Sequence, residues 1–446
     1  MEVEDFFKSL NRLSWAISLL AFQELGNTMS SLLVRQNGNR NGSTGPGNTR
    51  LTQDGRTLPA ESISNSFDLR SVFRMGIQAL YQSAGLVKTL NSAPESRVAW
   101  QELQNKLESF SLFEQVDSEL NISKSAPGPV SDLIARAQQH QSYRSVWLME
   151  GLGHYYSDFC LRHGEIPSLS NQELPVASLV PLHAGMGLSV AESLLPCIDQ
   201  NPASVQTFLQ ICTNGSSLGY FGVSCEALGL ATRNLYPHLL LPIDQALSAI
   251  SEDIVAYFWH GAGRAIYFSP SNFLPWQAAP WQGLQSCFTE PPHVVGRDNA
   301  LSGFCWALTL VNIRHPEVME AFLKHHADEL AQSDAAAEGI RSALVVWMNA
   351  TSCLQRLDSL RYHQPAPVMA ATWQKCVRES CEKAVEHLQK TQSAMGELFR
   401  CQSTRGSIET QARPQNMPVG AALDAVISRA AHGVLRPQNE RETQAE

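Results

Sequence analysis

Small residues recur inside apolar, helix-like stretches of this chain at a regular alternation of distances. The motifs read Glu150-Gly-Leu-Gly-His154, Ala184-Gly-Met-Gly-Leu188, Glu226-Ala-Leu-Gly-Leu230, His260-Gly-Ala-Gly-Arg264 and Ser302-Gly-Phe-Cys-Trp306. Their second residues, at 151, 185, 227, 261 and 303, are separated by 34, 42, 34 and 42 positions, so alternate motifs recur every 76 residues. The same step leads from Gly263 to Gly339, and backwards from Gly151 to the neighbourhood of Gly76. A glycine inside a helix costs about 1 kcal/mol relative to alanine. A cost repeated at fixed spacing implies a repeated return, and close approach of two helix backbones supplies one. The pattern predicts an all-α, helical-repeat (solenoid-like) array built on a double unit of about 76 residues.

The rest of the chain agrees with helices. Apolar residues recur at three- and four-residue spacing in windows such as 144–162, 178–195, 218–236, 298–312 and 336–361, with turn signals such as Ala126-Pro-Gly-Pro129 and Pro291-Pro292 between them. Only Val176 to Val180 and Ala265 to Ser269 read as tempting short strands. Phe6, Leu10, Leu13, Ile17 and Leu20 lie on one face of an amphipathic helix, whereas Gln36 to Leu58 is rich in Gly, Asn, Thr and Arg and lacks a core pattern. The predicted organisation is an N-terminal amphipathic helix at 1–34, a flexible linker at 35–62, a helical-repeat domain at 63–362, a C-terminal helix at 363–401, and a mostly disordered tail with a short helix at 402–446.

Charge and cysteine content narrow the function classes. Charged residues make up 17% of the 446, below the roughly 25% of an average soluble domain, so much of the chain is expected to be buried. Lys plus Arg number 33 against 42 Asp plus Glu, a formal charge of −9 with no basic run, which disfavours nucleic acid as a partner. Leu13 to Phe22 is too short for a bilayer span and follows an acidic leader, unlike an export signal. Docking of residues 3–24 on the protein is favoured over membrane contact, and the expected compartment is the cytoplasm. The ten cysteines form no CxxC or zinc-type quartet and read as reduced core thiols.

The Gly-x-Gly triplets do not complete a dinucleotide fingerprint. Tyr156, Val190 and Ile266 stand where the third glycine belongs, and the triplets fall within helices, so no cofactor is expected. The motifs do place polar residues at one helical level. Glu150 and His154 are four apart, as are His260 and Arg264, and Glu226 lies 76 residues after Glu150. On a shared inner face, Glu150, His154, Glu226, His260 and Arg264 form a candidate acid–base set, or else a network that holds adjacent helices in register. No compact metal-ligand set accompanies them, and no metal is expected. Tyr257, Trp259, Tyr267 and Phe268, from the aromatic-rich stretch 255–276, are the candidate lining of an apolar pocket around Arg264.

At these motifs the chain resembles a family of uncharacterised proteins encoded beside enediyne polyketide synthases. The likeness rests on Ser145-Val-Trp-Leu-Met-Glu-Gly-Leu-Gly153, Leu182-His-Ala-Gly-Met-Gly-Leu188, Gly219-Tyr-Phe-Gly222 with Glu226, His260-Gly-Ala-Gly-Arg-Ala-Ile-Tyr-Phe268 and Leu301-Ser-Gly-Phe-Cys-Trp-Ala307. It covers about 144–312, and it departs from the family at Leu148 and Met149, where members often carry a small residue. The resemblance implies a role close to specialised-metabolite biosynthesis, such as that of a polyketide, but supplies neither a reaction nor catalytic residues. Two expectations follow. One is an accessory or tailoring protein that binds an apolar intermediate in a helical cleft, with Arg264 anchoring an oxygen and His260 or Glu150 moving protons. The other is a non-enzymatic helical-repeat scaffold for a protein partner.

Overall fold

The computed structural model describes residues 94–401, apart from 124–126, 171, 270–280, 282, 331–332, 352–356 and 391–394. The N-terminal helix, the linker and the tail expected from the sequence lie outside these residues, as do Phe273 and Trp276 of the aromatic stretch. The described residues are helical and contain no strand, so the fold is all-α. Val176 to Val180 and Ala265 to Tyr267, which alternate like strands, are both helix. Helices of 12 or more residues are numbered α1 (Pro94–Glu114), α2 (Ser142–Arg162), α3 (Val176–Gln200), α4 (Phe221–Leu235), α5 (Glu252–Tyr267), α6 (Val294–Val311), α7 (Ala335–Thr351) and α8 (Glu379–Lys390). Shorter helices, such as Val205–Gly215, Leu240–Ser248 and Pro316–His325, connect them.

Local signals set the helix starts. Ser251 caps α5 by accepting the Asp253 N–H at 3.2 Å, with Glu252 and Asp253 in the first turn facing the positive end of the helix dipole. His293 caps α6 by accepting the Gly296 N–H on Nδ1 at 2.8 Å. The central helices are buried on all sides rather than on one face. Every residue from Val255 to Tyr267 and from Asn299 to Val311 is buried, as central helices require. No helix among the described residues is long and apolar enough to cross a membrane.

The recurring glycines are the points where helices touch. A Cβ on Gly153 of α2 would overlap the Leu182 carbonyl of α3, and one on Gly185 would overlap the Glu150 carbonyl of α2. Shifting all four residue numbers by 76 gives the α4–α5 contact, where Gly229 meets the Phe258 carbonyl and Gly261 meets that of Glu226. Gly187 on Ser224 and Gly263 on Ala300 repeat in the same way between α3 and α4 and between α5 and α6. Such proximity brings Cα–H groups onto carbonyl oxygens, a weak attraction made many times over. The last contact, Gly339 of α7 on the Ser302 carbonyl of α6, is offset by two residues from the earlier register.

Consecutive numbered helices from α1 to α8 pack in chain order. In an open solenoid each element would touch only its neighbours. Here α7 also packs against α2 and α3, and α1 reaches α6, so the row turns back on itself. A five-residue 3₁₀ segment, Met395–Phe399, lies across α4, α5 and α7.

His183, one residue before the second motif, pins the loop that leads into α4. It donates from Nδ1 to the Leu179 carbonyl at 2.6 Å and accepts the Ser217 N–H on Nε2 at 2.9 Å, with its ring stacked on Tyr220. Burial holds its pKa down at about 4, against the ordinary 6.5. The unfolded chain protonates this ring across the window from 6.5 down to 4 while the folded chain does not, so stability is lost as pH falls through it. At 1.36 kcal/mol per pKa unit, acidification should cost the wild type about 3 kcal/mol through this residue. In His183→Phe that part of the pH dependence should disappear from urea-unfolding free energies measured between pH 4 and 7. Gly185→Ala and Gly261→Ala should each lower unfolding free energy by about 1–3 kcal/mol in the same assay, despite alanine's better helix propensity.

Candidate functional site

The close contacts place the polar level of the motifs in the interior. Glu150 projects from α2, Glu226 from α4, and His260 and Arg264 from α5, and each is at most 4% exposed. Arg264 donates from Nη1 to Glu226 Oε2 at 2.9 Å and from Nη2 to Glu150 Oε1 at 3.1 Å. His260 Nδ1 lies 2.8 Å from Glu226 Oε1. Glu226 therefore uses one carboxylate oxygen for each cation-capable partner. The Arg264 guanidinium also lies over the Trp306 ring of α6, 4.4 Å from its centroid. Four helices, α2, α4, α5 and α6, thus meet at one residue.

Charge balance within this cluster is uneven. Burial opposes ionisation of Glu226, but Arg264 and His260 together outweigh it and hold the carboxyl below the usual carboxylate range. Burial pushes Glu150 the other way, and Arg264 does not compensate in full, so its carboxyl titrates above the usual range. One guanidinium shared by two carboxyls neutralises one of them well and leaves the second with reason to keep its proton.

Against an ionised Glu226, His260 Nδ1 is the hydrogen-bond donor. The other ring nitrogen, Nε2, is buried without a hydrogen-bond partner, as are Arg264 Nε and Trp306 Nε1. The His260 ring meets Trp306 and Phe399 edge to face, with centroids 6.3 and 5.6 Å away. A carboxylate that orients an imidazole, whose second nitrogen is unused and walled by aromatic rings, is an arrangement suited to moving a proton in a water-poor site. Among the described residues no three His, Cys, Asp or Glu side chains gather as a metal site.

The other expected site residues make contacts outside this cluster. His154, grouped from the sequence with Glu150, has its Nε2 3.0 Å from Glu192 Oε2 on α3 and its ring against Phe113. The four aromatics do not line one pocket around Arg264. Tyr257 donates to Glu397 Oε1 at 3.1 Å, and Trp259 donates to Asp244 Oδ1 at 2.7 Å. Tyr267 accepts from Asn312 Nδ2 at 2.9 Å, and Phe268 packs on Phe110 with centroids 4.9 Å apart. Residues one, two or ten positions apart on a helix point in different directions, and here each direction leads into a different part of the core.

A second buried charge cluster had not been singled out from the sequence. Lys106 of α1 is fully buried, 3.2 Å from Glu102 and 4.0 Å above the Tyr267 ring. Glu102 also accepts from Trp281 Nε1 at 2.9 Å. Burial lowers the Lys106 pKa against the opposing pull of Glu102. Charges four apart on a helix ordinarily read as a solvated face. The available signal was their position beside the buried apolar stripe Leu103, Leu107 and Phe110. The nine described cysteines form no disulfide, and all but Cys197 are buried. A cavity of about 220 Å³, lined by Leu357, Arg361, Cys381, Glu382 and Val385, involves none of the cluster residues.

No protein-family model matches this chain, and no curated protein and no solved structure matches it. The likeness to proteins encoded beside enediyne polyketide synthases therefore stands on the sequence motifs alone.

Unequal ionisation gives an expected asymmetry. Glu226→Gln removes the ionised partner of both Arg264 and His260 and should lower unfolding free energy by about 3–5 kcal/mol. Glu150→Gln substitutes a near-isostere for a carboxyl whose ionisation burial already opposes, and should cost less than Glu226→Gln, about 1 kcal/mol. Urea denaturation followed by circular dichroism compares the two, and equal losses would refute the asymmetry.

Proposed function

We propose that this chain is an accessory or tailoring protein of specialised-metabolite, polyketide-type biosynthesis that takes up an apolar intermediate, with His260 as its proton-transfer group. The observation that carries this reading is the unused Nε2 of a buried imidazole whose Nδ1 is fixed by Glu226. In the proposed step the neutral His260 Nε2 accepts a proton from an acidified C–H or O–H of the intermediate. Glu226 stabilises the resulting imidazolium, and the proton returns to another atom of the same molecule. This is the balance of an isomerisation or cyclisation. Trp306 and Phe399 would keep water from the reacting atoms. Arg264, with both terminal nitrogens already engaged, acts as a positioning residue for Glu226 rather than as the oxygen anchor expected from the sequence.

The scaffold reading draws on a separate observation, the near-complete burial of the cluster. All four residues are at most 4% exposed, as a register-fixing network would be. A cytoplasmic location is part of the proposal in either form. His260→Gln separates the two readings, because its amide still donates to Glu226 while the proton-accepting nitrogen is gone. With His260→Gln at the chromosomal locus, and the protein at wild-type level and melting temperature, metabolite profiles should lose one apolar product and accumulate its precursor. An unchanged profile in that stably folded variant would overturn the enzymatic reading in favour of the scaffold.

A further inference from the structure

On one side His260 is walled by Phe399, which belongs to a short segment rather than to a long helix. The 3₁₀ segment Met395–Phe399 and the two residues after it form a strap one turn thick. Its inner side carries Phe399, fully buried against His260 and Trp306. Its outer side carries Glu397, whose side chain is 36% exposed. Two residues of chain therefore lead from the ring that walls His260 to a side chain in water.

The strap is a short element that buries Met395, Leu398 and Phe399 and has its polar ties towards its two ends. A five-residue 3₁₀ turn has little stability of its own. At its start the Gly396 N–H donates to the Gly219 carbonyl at 2.7 Å, where Gly396 and Gly222 pack backbone to backbone. At its far end Arg400 pairs with Asp253 and Glu397, Tyr257 donates to Glu397, and the Cys401 N–H donates to Asn299 at 2.7 Å. Cys401 Sγ reaches Glu338 at 2.8 Å. The Asp253 side chain is 53% exposed, so the Arg400 clasp sits at the water's edge and is open to competition from solvent and salt. The helices under the strap are joined by several backbone-to-backbone contacts, at Gly229, Gly261 and Gly263, whereas the strap makes them only around Gly396.

We infer that Met395–Cys401 is a displaceable strap, and that its lifting, with withdrawal of Phe399, is the route by which a molecule reaches His260. The opening is a property of the fold and stands whether or not His260 transfers a proton. It also accounts for a free imidazole nitrogen with no solvent access in the closed state.

The test uses the full chain and diethyl pyrocarbonate, a small reagent that acylates imidazole nitrogen, with peptide mass spectrometry to read each histidine. His183 serves as internal control: it is equally buried, it lies on α3, and both its nitrogens are engaged. In native buffer His260 should be acylated at least about tenfold faster than His183. Arg400→Ala removes the water-edge clasp without touching the cluster, and should raise the His260 rate about threefold or more while leaving His183 unchanged. Amide exchange in the 395–401 peptide should quicken in parallel, with α5 unchanged. Equal rates at His260 and His183, or an Arg400→Ala effect that raises both together, would mean access only through global unfolding and would overturn the inference. No acceleration at His260 in Arg400→Ala, with the 395–401 amides exchanging faster, would place the route elsewhere and overturn it as well.

Discussion

The approach of helix backbones at glycine controls the rest of this molecule. Where Gly185 and Gly261 meet the carbonyls of Glu150 and Glu226, the helices come closer than any side chain would allow. Spacing between the helices is then set by backbone rather than by side chains, and most of the polar residues buried between them are small, such as Ser157, Ser189, Ser224 and Ser302. The larger charged groups Glu150, Glu226, His260 and Arg264 meet one another. Glu150 and Glu226, whose carbonyls receive the glycines, are the same residues whose carboxyls receive Arg264. Packing and charge are thus coupled at single residues.

That coupling explains why the buried ions are tolerated. Removing charges from water is expensive, and the expense is offset only when geometry is good and remaining lone pairs are satisfied. Glu226 meets this condition, since each of its oxygens has a partner fixed on the adjacent α5. Glu150 meets it less well, and its carboxyl responds by titrating high. The Lys106–Glu102 pair is a second instance, in which an aromatic face on Tyr267 and an indole N–H on Trp281 complete the shell.

Much of this was legible in the sequence, for a definable reason. Glycine in a helix carries a local penalty, so a glycine repeated at one spacing announces a contact even though the partner is invisible. The helical class, the contact points and the meeting of Glu150, Glu226, His260 and Arg264 all follow from that spacing. Other features do not repeat. Leu188 and Ala184 stand 76 residues before Arg264 and His260, so the polar site occurs once and the periodicity is silent about its surroundings. His154 shows the limit: helical spacing puts it near Glu150, but Glu192 on the neighbouring helix offers the nearer partner. The aromatics of α5 share a segment without sharing a direction. The return of α7 onto α2 and α3, and the strap over His260, depend on three-dimensional closure, which no local pattern encodes.

The pairing of Glu150 with Arg264 spans 114 residues of chain. At synthesis rates of about 5–20 residues per second, Glu150 emerges roughly 6–23 s before the guanidinium that will hold it. Throughout that interval α2 and α3 have both their glycines and their apolar faces available, and Glu150 has no cation. The helix pair α2–α3 therefore acquires its full set of polar partners only once α5 has been made and docked.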